Sequence, residues 1–190
     1  MLIFLIFEKI IDYKKFFFDY RQEISNLLSE VNTKNINDSI DLIKKSSNLG
    51  GTIYIVGNGG SSSIASHISV DFTKVARIKS LTFNNSNIIT CFANDYGHDY
   101  WVKEAIKAYC SRKDLIILIS SSGKSLNIIN AAKYCKENQY DLITLSGFEN
   151  NNELLKLGKI NFHVNSKNYN HIEMIHHIIL LSIVDICTQK

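Results

Sequence analysis

Four serines at one strand-to-helix turn are the residues best placed to hold a ligand. In Ile119-Ser-Ser-Ser-Gly-Lys-Ser125 the hydroxyls of Ser120, Ser121, Ser122 and Ser125 follow the apolar run Leu115-Ile-Ile-Leu-Ile119. A helix opening there offers unpaired backbone N–H groups and the positive end of its dipole, a combination suited to phosphate. The same residue types also cap helices without any ligand. A second small-residue turn, Gly57-Asn-Gly-Gly-Ser-Ser-Ser63, follows Thr52-Ile-Tyr-Ile-Val56. Its Asn58, Gly59, Gly60 and Ser61 form a segment that can bend tightly and approach a ligand closely. The spacing fits neither the P-loop, which would end in Lys-Ser/Thr, nor the full dinucleotide fingerprint. Two such turns, each after a strand, would meet at one edge of a parallel sheet, where open α/β folds bind ligands.

Groups able to move protons lie on the helices behind these turns. His67 and Asp71 are four residues apart, so they share a helix face one turn beyond the glycine segment. Such a pair can hold a divalent metal or act as a base with an orienting partner; the plainer reading is a surface ion pair. Glu173, His176 and His177 interrupt an otherwise apolar final helix. At i, i+3 and i+4 all three can converge on one point, and polar groups in so apolar a helix need partners or a polar cavity. Either histidine alone reads equally well as a satisfied core residue. Asn94 and Asp95, in Ala93-Asn-Asp-Tyr-Gly-His98, follow an expected strand ending at Phe92, where they would bond sugar hydroxyls or cap the next helix. Lys74 and Arg77 are candidates to answer a phosphate or an acid of a neighbouring subunit.

These residues must be positioned by one domain of 190 residues, 45% hydrophobic and 21% charged, which is ordinary for a soluble globular chain. The net charge is +3 with no basic stripe, so nucleic acid is not an expected ligand. Cys91, Cys110, Cys135 and Cys187 form no CxxC pair and lie in apolar patterns, which predicts buried free thiols in a reducing compartment. Met1 to Phe7 is apolar, but Glu8 and Lys9 end the run before it could span a bilayer. The expected location is cytoplasmic, with no membrane partner.

Helical spacing over 3–31 (Phe7, Ile10, Ile11, Phe16, Phe17, Tyr20, Ile24, Leu27, Leu28, Val31) predicts one or two helices, and their many aromatics point to subunit packing. A second helix is expected over 36–49. Strands then read near 52–56, 88–92, 114–119, 141–145 and 160–164, and helices near 61–76, 98–110, 125–138, 151–156 and 169–187. This alternation predicts an α/β fold, a five-stranded parallel sheet with helices on both faces and residues 1–49 as a helical extension.

In order, Gly57-Asn-Gly-Gly-Ser61, the His67/Asp71 pair, Asn94-Asp-Tyr-Gly97 and Ile119-Ser-Ser-Ser-Gly-Lys-Ser125 resemble the sugar isomerase (SIS) domain, and within it the phosphoheptose isomerase family. The resemblance spans nearly the whole chain. It implies conversion of sedoheptulose 7-phosphate to D-glycero-D-manno-heptose 7-phosphate for heptose-containing surface glycans such as lipopolysaccharide or capsule, in a homotetramer. It also implies phosphate on Ser120, Ser121, Ser122 and Ser125, sugar against Asn58, Gly59, Gly60, Asn94 and Asp95, and Zn²⁺ with substrate at His67, Asp71 and Glu173. The chain departs from the pattern at four places. Asp71 stands where the family has a basic Glu, Glu173 where it has Gln, Leu181 where it has the catalytic His, and Val75 where it has Arg. On one reading His176 or His177 supplies the imidazole from the preceding turn, with Asp71 or Glu173 as base. On the other, the chain is a non-catalytic SIS module that senses a sugar phosphate or joins a protein partner.

Overall fold

Residues along each central strand cover two cores in alternation. In β1 (Ile53–Gly57), Ile53 and Ile55 enter one core while Tyr54 and Val56 enter the other. β3 (Leu115–Ser120) repeats this, with Leu115, Ile117 and Ile119 on the first face and Ile116 and Leu118 on the second. Strands buried on both faces are apolar throughout, which is the signature of a parallel sheet wrapped by helices. A computed structural model of the chain, describing residues 12–189, shows that sheet. β2 (Ser80–Leu81), β4 (Asp141–Gly147) and β5 (Ile160–Val164) complete it in the order β2-β1-β3-β4-β5, every pair parallel.

α1 (Tyr13–Ser29), α2 (Thr33–Asn48), α3 (Gly60–Lys74) and α7 (Tyr169–Thr188) build the first core. α4 (Ser86–Tyr96), α5 (Trp101–Tyr109), α6 (Leu126–Glu137) and a 3₁₀ turn at Leu154–Lys156 build the second. Phe7, Ile10 and Ile11 of the expected first helix lie outside the described residues. α2 is integral to the fold, since Ile40, Leu42 and Ile43 are buried in the first core. α7 has the length and apolarity of a membrane span, but its residues Ile172, Ile175, Ile179, Leu180, Ile183 and Val184 are buried in the first core.

One expected strand is a helix. Residues 88–92 fall within α4, started by the Asn85 side chain accepting from Asn87 N at 2.9 Å. Ile88, Ile89, Phe92 and Ala93 lean on the second core at i, i+1, i+4 and i+5, a helical stripe. Its β-branched residues mimic a strand, whereas the true edge strand is the two-residue β2, paired to Ile53 and Tyr54. The same error misplaced Cys91, which is exposed on α4, while Cys135 is buried and all four thiols are free. Burial pushes the Cys135 thiol up to about 12.

The strand order turns back between β1 and β3, which makes their C-terminal ends the expected crevice for a ligand. Gly57 and Ile119 are register partners there, so the glycine turn and the serine loop leave the sheet side by side.

Candidate active site

At the β1 exit, Gly59 adopts φ +53, a conformation glycine reaches without the Cβ penalty. The chain then enters α3 with no side-chain cap, leaving the first N–H groups of that helix without a side-chain partner. Glu173 of α7 closes on this end. A Cβ on Gly60 would overlap the Glu173 carboxylate, so the absence of a side chain at Gly60 admits the acid to the positive end of α3.

The serine loop is built on similar terms. Ser120 Oγ donates to Ser125 Oγ at 3.0 Å, and Ser122 Oγ accepts from Lys124 N at 3.2 Å. Ser125 is the N-cap of α6, yet its hydroxyl makes no capping bond, so the helix start is left for a ligand. Ser121 Oγ lies 3.4 Å from Ser61 Oγ and ties the loop to the glycine turn.

Two residues that escaped the sequence reading hold this frame. Asn127, 1% exposed, exchanges a pair of amide hydrogen bonds with Asn58, 2.9 Å in each direction. Asn152 is buried against Gly123, where a Cβ would strike its side chain. Its amide donates to Gly147 O at 3.2 Å and Glu149 O at 2.8 Å, fixing the serine loop to the end of β4.

Between the turns lies a cavity of about 270 Å³, lined by residues 58–61, Ile119, Ser120, Ser121, Ser122, Ser125, Tyr169 and Glu173. None of these residues is cationic, so an anion there would be held by hydroxyls and helix N-termini. A second cavity of about 400 Å³ shares Gly60 and Glu173 with the first and extends to Tyr20, Asn170, Met174 and His177. Glu173 thus stands between the two.

His177 Nε2 lies 3.0 Å from His67 Nδ1, and His67 Nε2 lies 3.3 Å from Asp71 Oδ2. With a carboxylate as the final acceptor, His67 donates from Nε2 and His177 donates to His67 Nδ1. That order leaves His177 Nδ1 as the free acceptor of the set. Burial chiefly, and His67 next, hold the His177 pKa below its ordinary value, opposed by the Asp71 charge.

The other expected residues lie elsewhere. His176 is fully buried and donates Nε2–H to Ser146 O at 3.0 Å, so it belongs to the core and not to the cluster with Glu173 and His177. Its pKa is lowered to about 4, by burial first, with the Ser146 carbonyl opposing and His163 assisting. Asn94 and Asp95 sit exposed in the last turns of α4, bonded to each other at 2.9 Å, and line neither cavity. Their displacement follows from the helix that replaced the expected strand. Lys74 and Arg77 line neither cavity either. His67, Asp71 and Glu173 do not close on one point, because His67 and Asp71 are engaged with each other and Glu173 packs at Gly60. Among the described residues no three His, Cys, Asp or Glu side chains group as metal ligands, so the set as it stands does not fit zinc.

Residues 19–147 match the SIS domain family. A phosphoheptose isomerase of Cytophaga hutchinsonii is 31% identical over 170 residues, covering 83% of this chain and 88% of the relative. The chain belongs to the phosphoheptose isomerase family of SIS-domain proteins. A phosphoheptose isomerase of Buchnera aphidicola is 29% identical, covering 89% of this chain and 95% of the relative. In fold the chain is similar to the phosphoheptose isomerase GmhA from Neisseria gonorrhoeae, with a TM-score of 0.83 and 21% identity over 92% of this chain and 97% of that one. In this member of the phosphoheptose isomerase family, Leu181 packs partly buried against the first core. The imidazole nearest the cavities is that of His177, one turn earlier.

Proposed function

We propose that the protein isomerises sedoheptulose 7-phosphate to D-glycero-D-manno-heptose 7-phosphate through an enediol(ate). The observation that carries this reading is Glu173, which walls both the serine-lined cavity and the cavity that holds His177. The hydroxyls of Ser120, Ser121, Ser122 and Ser125, with the start of α6, bind the phosphate. Holding that end fixes the carbon chain and converts a weak carboxylate into an effective base. Glu173 takes the proton beside the carbonyl and returns it to the neighbouring carbon. His177 moves the hydroxyl proton between the two oxygens, with Asp71 holding His67 and His67 holding His177 in the required tautomer. A sensor module would need the serine loop but no such acid and imidazole beside it.

The exposed aromatics Tyr13, Phe16, Phe17 and Phe18 on α1 support assembly as a homotetramer, and four free thiols support a cytoplasmic location. The decisive experiment follows sedoheptulose 7-phosphate by proton NMR in D₂O. An aldoheptose phosphate with deuterium beside the carbonyl is expected. Glu173→Gln should slow its appearance by about 10²- to 10⁴-fold. No conversion and no exchange by the wild-type protein would refute the isomerase reading.

A further inference from the structure

Phe148, immediately after β4, has φ +56, a region in which a bulky L residue is a genuine outlier. Its N–H donates to Ser166 O at 3.0 Å. Strain of this kind persists where the surroundings impose it, and it gathers at ligand clamps. The Phe148 ring meets that of Tyr169, with centroids 4.7 Å apart and planes inclined by 58°. Tyr169 is the first residue of α7 and lines the serine-loop cavity, yet it is 56% exposed. One part of its ring is thus held by Phe148 while much of the remainder is open at the mouth of the cavity.

Tyr169, Glu173 and His177 follow one another at intervals of four residues. They form a ridge on α7 whose members are about 6 Å apart along the helix axis. The order along it is phosphate cavity, base, imidazole. A phosphosugar laid from the serine loop towards Glu173 passes Tyr169 with its carbon chain, whose C–H groups suit the electron-rich face of an aromatic ring. Apart from Ile119, the other side chains lining that cavity are polar.

We infer that Tyr169 is a substrate-binding residue whose ring covers the carbon chain of the phosphosugar, and that Phe148 is a positioning residue that holds the ring in place. The inference rests on the phosphosugar reading above. It is tested by steady-state kinetics, calorimetric binding of sedoheptulose 7-phosphate and thermal melting of the wild-type protein, Tyr169→Ala, Tyr169→Phe and Phe148→Gly. Tyr169→Ala should raise KM and Kd by about three- to tenfold with a smaller change in kcat, while Tyr169→Phe stays near wild type. Phe148→Gly relieves the backbone but gives up the packing of the ring on the first core, so it should melt lower than wild type while staying folded at the assay temperature, and its KM should still rise. Unchanged KM in Tyr169→Ala and Phe148→Gly would overturn the inference. So would a loss in Tyr169→Phe as large as in Tyr169→Ala, which would assign the effect to the hydroxyl. A wild-type protein that binds the ketose phosphate without converting it would sink the isomerase reading alone; the Kd of Tyr169→Ala would then decide this one. Absence of binding by wild type would overturn both.

Discussion

Gly60→Ala probes the position of Glu173 without altering an ionisable group. The new Cβ would stand 2.6 Å from Glu173 Cδ and 2.7 Å from Oε1, where ordinary contact begins at 3.4 Å. The carboxylate must therefore withdraw by roughly 1 Å, and it can, because it is the end of a flexible side chain. Gly60 is the first residue of α3 and its φ is not in the left-handed region. Alanine is favoured over glycine in helices by about 0.5–1 kcal/mol, which offsets the cost of moving the acid. Net stability should stay within about 1 kcal/mol, or about 4 °C in Tm for a chain of this size. A displacement of ~1 Å at the reacting centre costs on the order of 10²-fold in rate, about 2.7 kcal/mol in the barrier. The assay is conversion of sedoheptulose 7-phosphate by proton NMR beside a thermal melt. A kcat within about threefold of wild type in a folded variant would refute Glu173 as the base seated against α3. Loss of the fold would refute the claim that the acid, and not the backbone, absorbs the change.

Asn127→Ala leaves the amide of Asn58 without its partner, so stability should fall by about 1–3 kcal/mol in urea denaturation, and phosphate-end binding should weaken with it. His177→Gln removes the imidazole beside Glu173 and should lower kcat by about 10²-fold while the melting temperature changes little, read by the same NMR assay. His176 is neutral in the fold with a pKa of about 4, whereas in the unfolded chain it takes up a proton near 6.5. The stability it contributes is therefore complete above pH 6.5 and is lost as pH falls towards 4, about 3 kcal/mol in all. His176→Gln keeps a donor for Ser146 O and should flatten that part of the stability profile; an unchanged slope would contradict it.

The sheet was legible because strands covered on both faces must be apolar throughout, as in Leu115-Ile-Ile-Leu-Ile119, and few other folds need that. Residues 88–92 misled because β-branched residues serve a helix stripe as well as a strand, and the cap that decides between them is one side chain, Asn85. The two ligand turns were legible from glycine and serine placement, but the Asn58–Asn127 pairing was not, since it joins residues 69 apart in sequence. The choice between His176 and His177 was within reach. Ile172, Ile175, Ile179, Leu180 and Ile183 form the buried stripe, and His176 falls inside it while Glu173 and His177 fall beside it.

The departures at Asp71 and Glu173 are best understood as a single change across the packing of α3 on α7. Resemblance to the phosphoheptose isomerase family implies a long carboxylate on α3 facing an amide on α7. In this chain the α3 acid is one methylene shorter and turns to its neighbour His67 at 3.3 Å. The long carboxylate is on α7 instead and lies against Gly60, where a side chain would exclude it. The imidazole has moved in step. With Leu181 given to the core, His177 stands one turn nearer the start of α7, on the same ridge as Glu173, and His67 reaches it from α3 at 3.0 Å. In the proposed mechanism base and imidazole both come from α7, while α3 supplies the pair that orients the imidazole. An acid at position 173 facing an acid of full length on α3 would set two carboxylates against each other, and Leu181 without His177 would leave Glu173 without a proton partner. On the proposed reading a long carboxylate and an imidazole both remain at the site, the carboxylate carried by α7 and not by α3 and the imidazole moved one turn along α7.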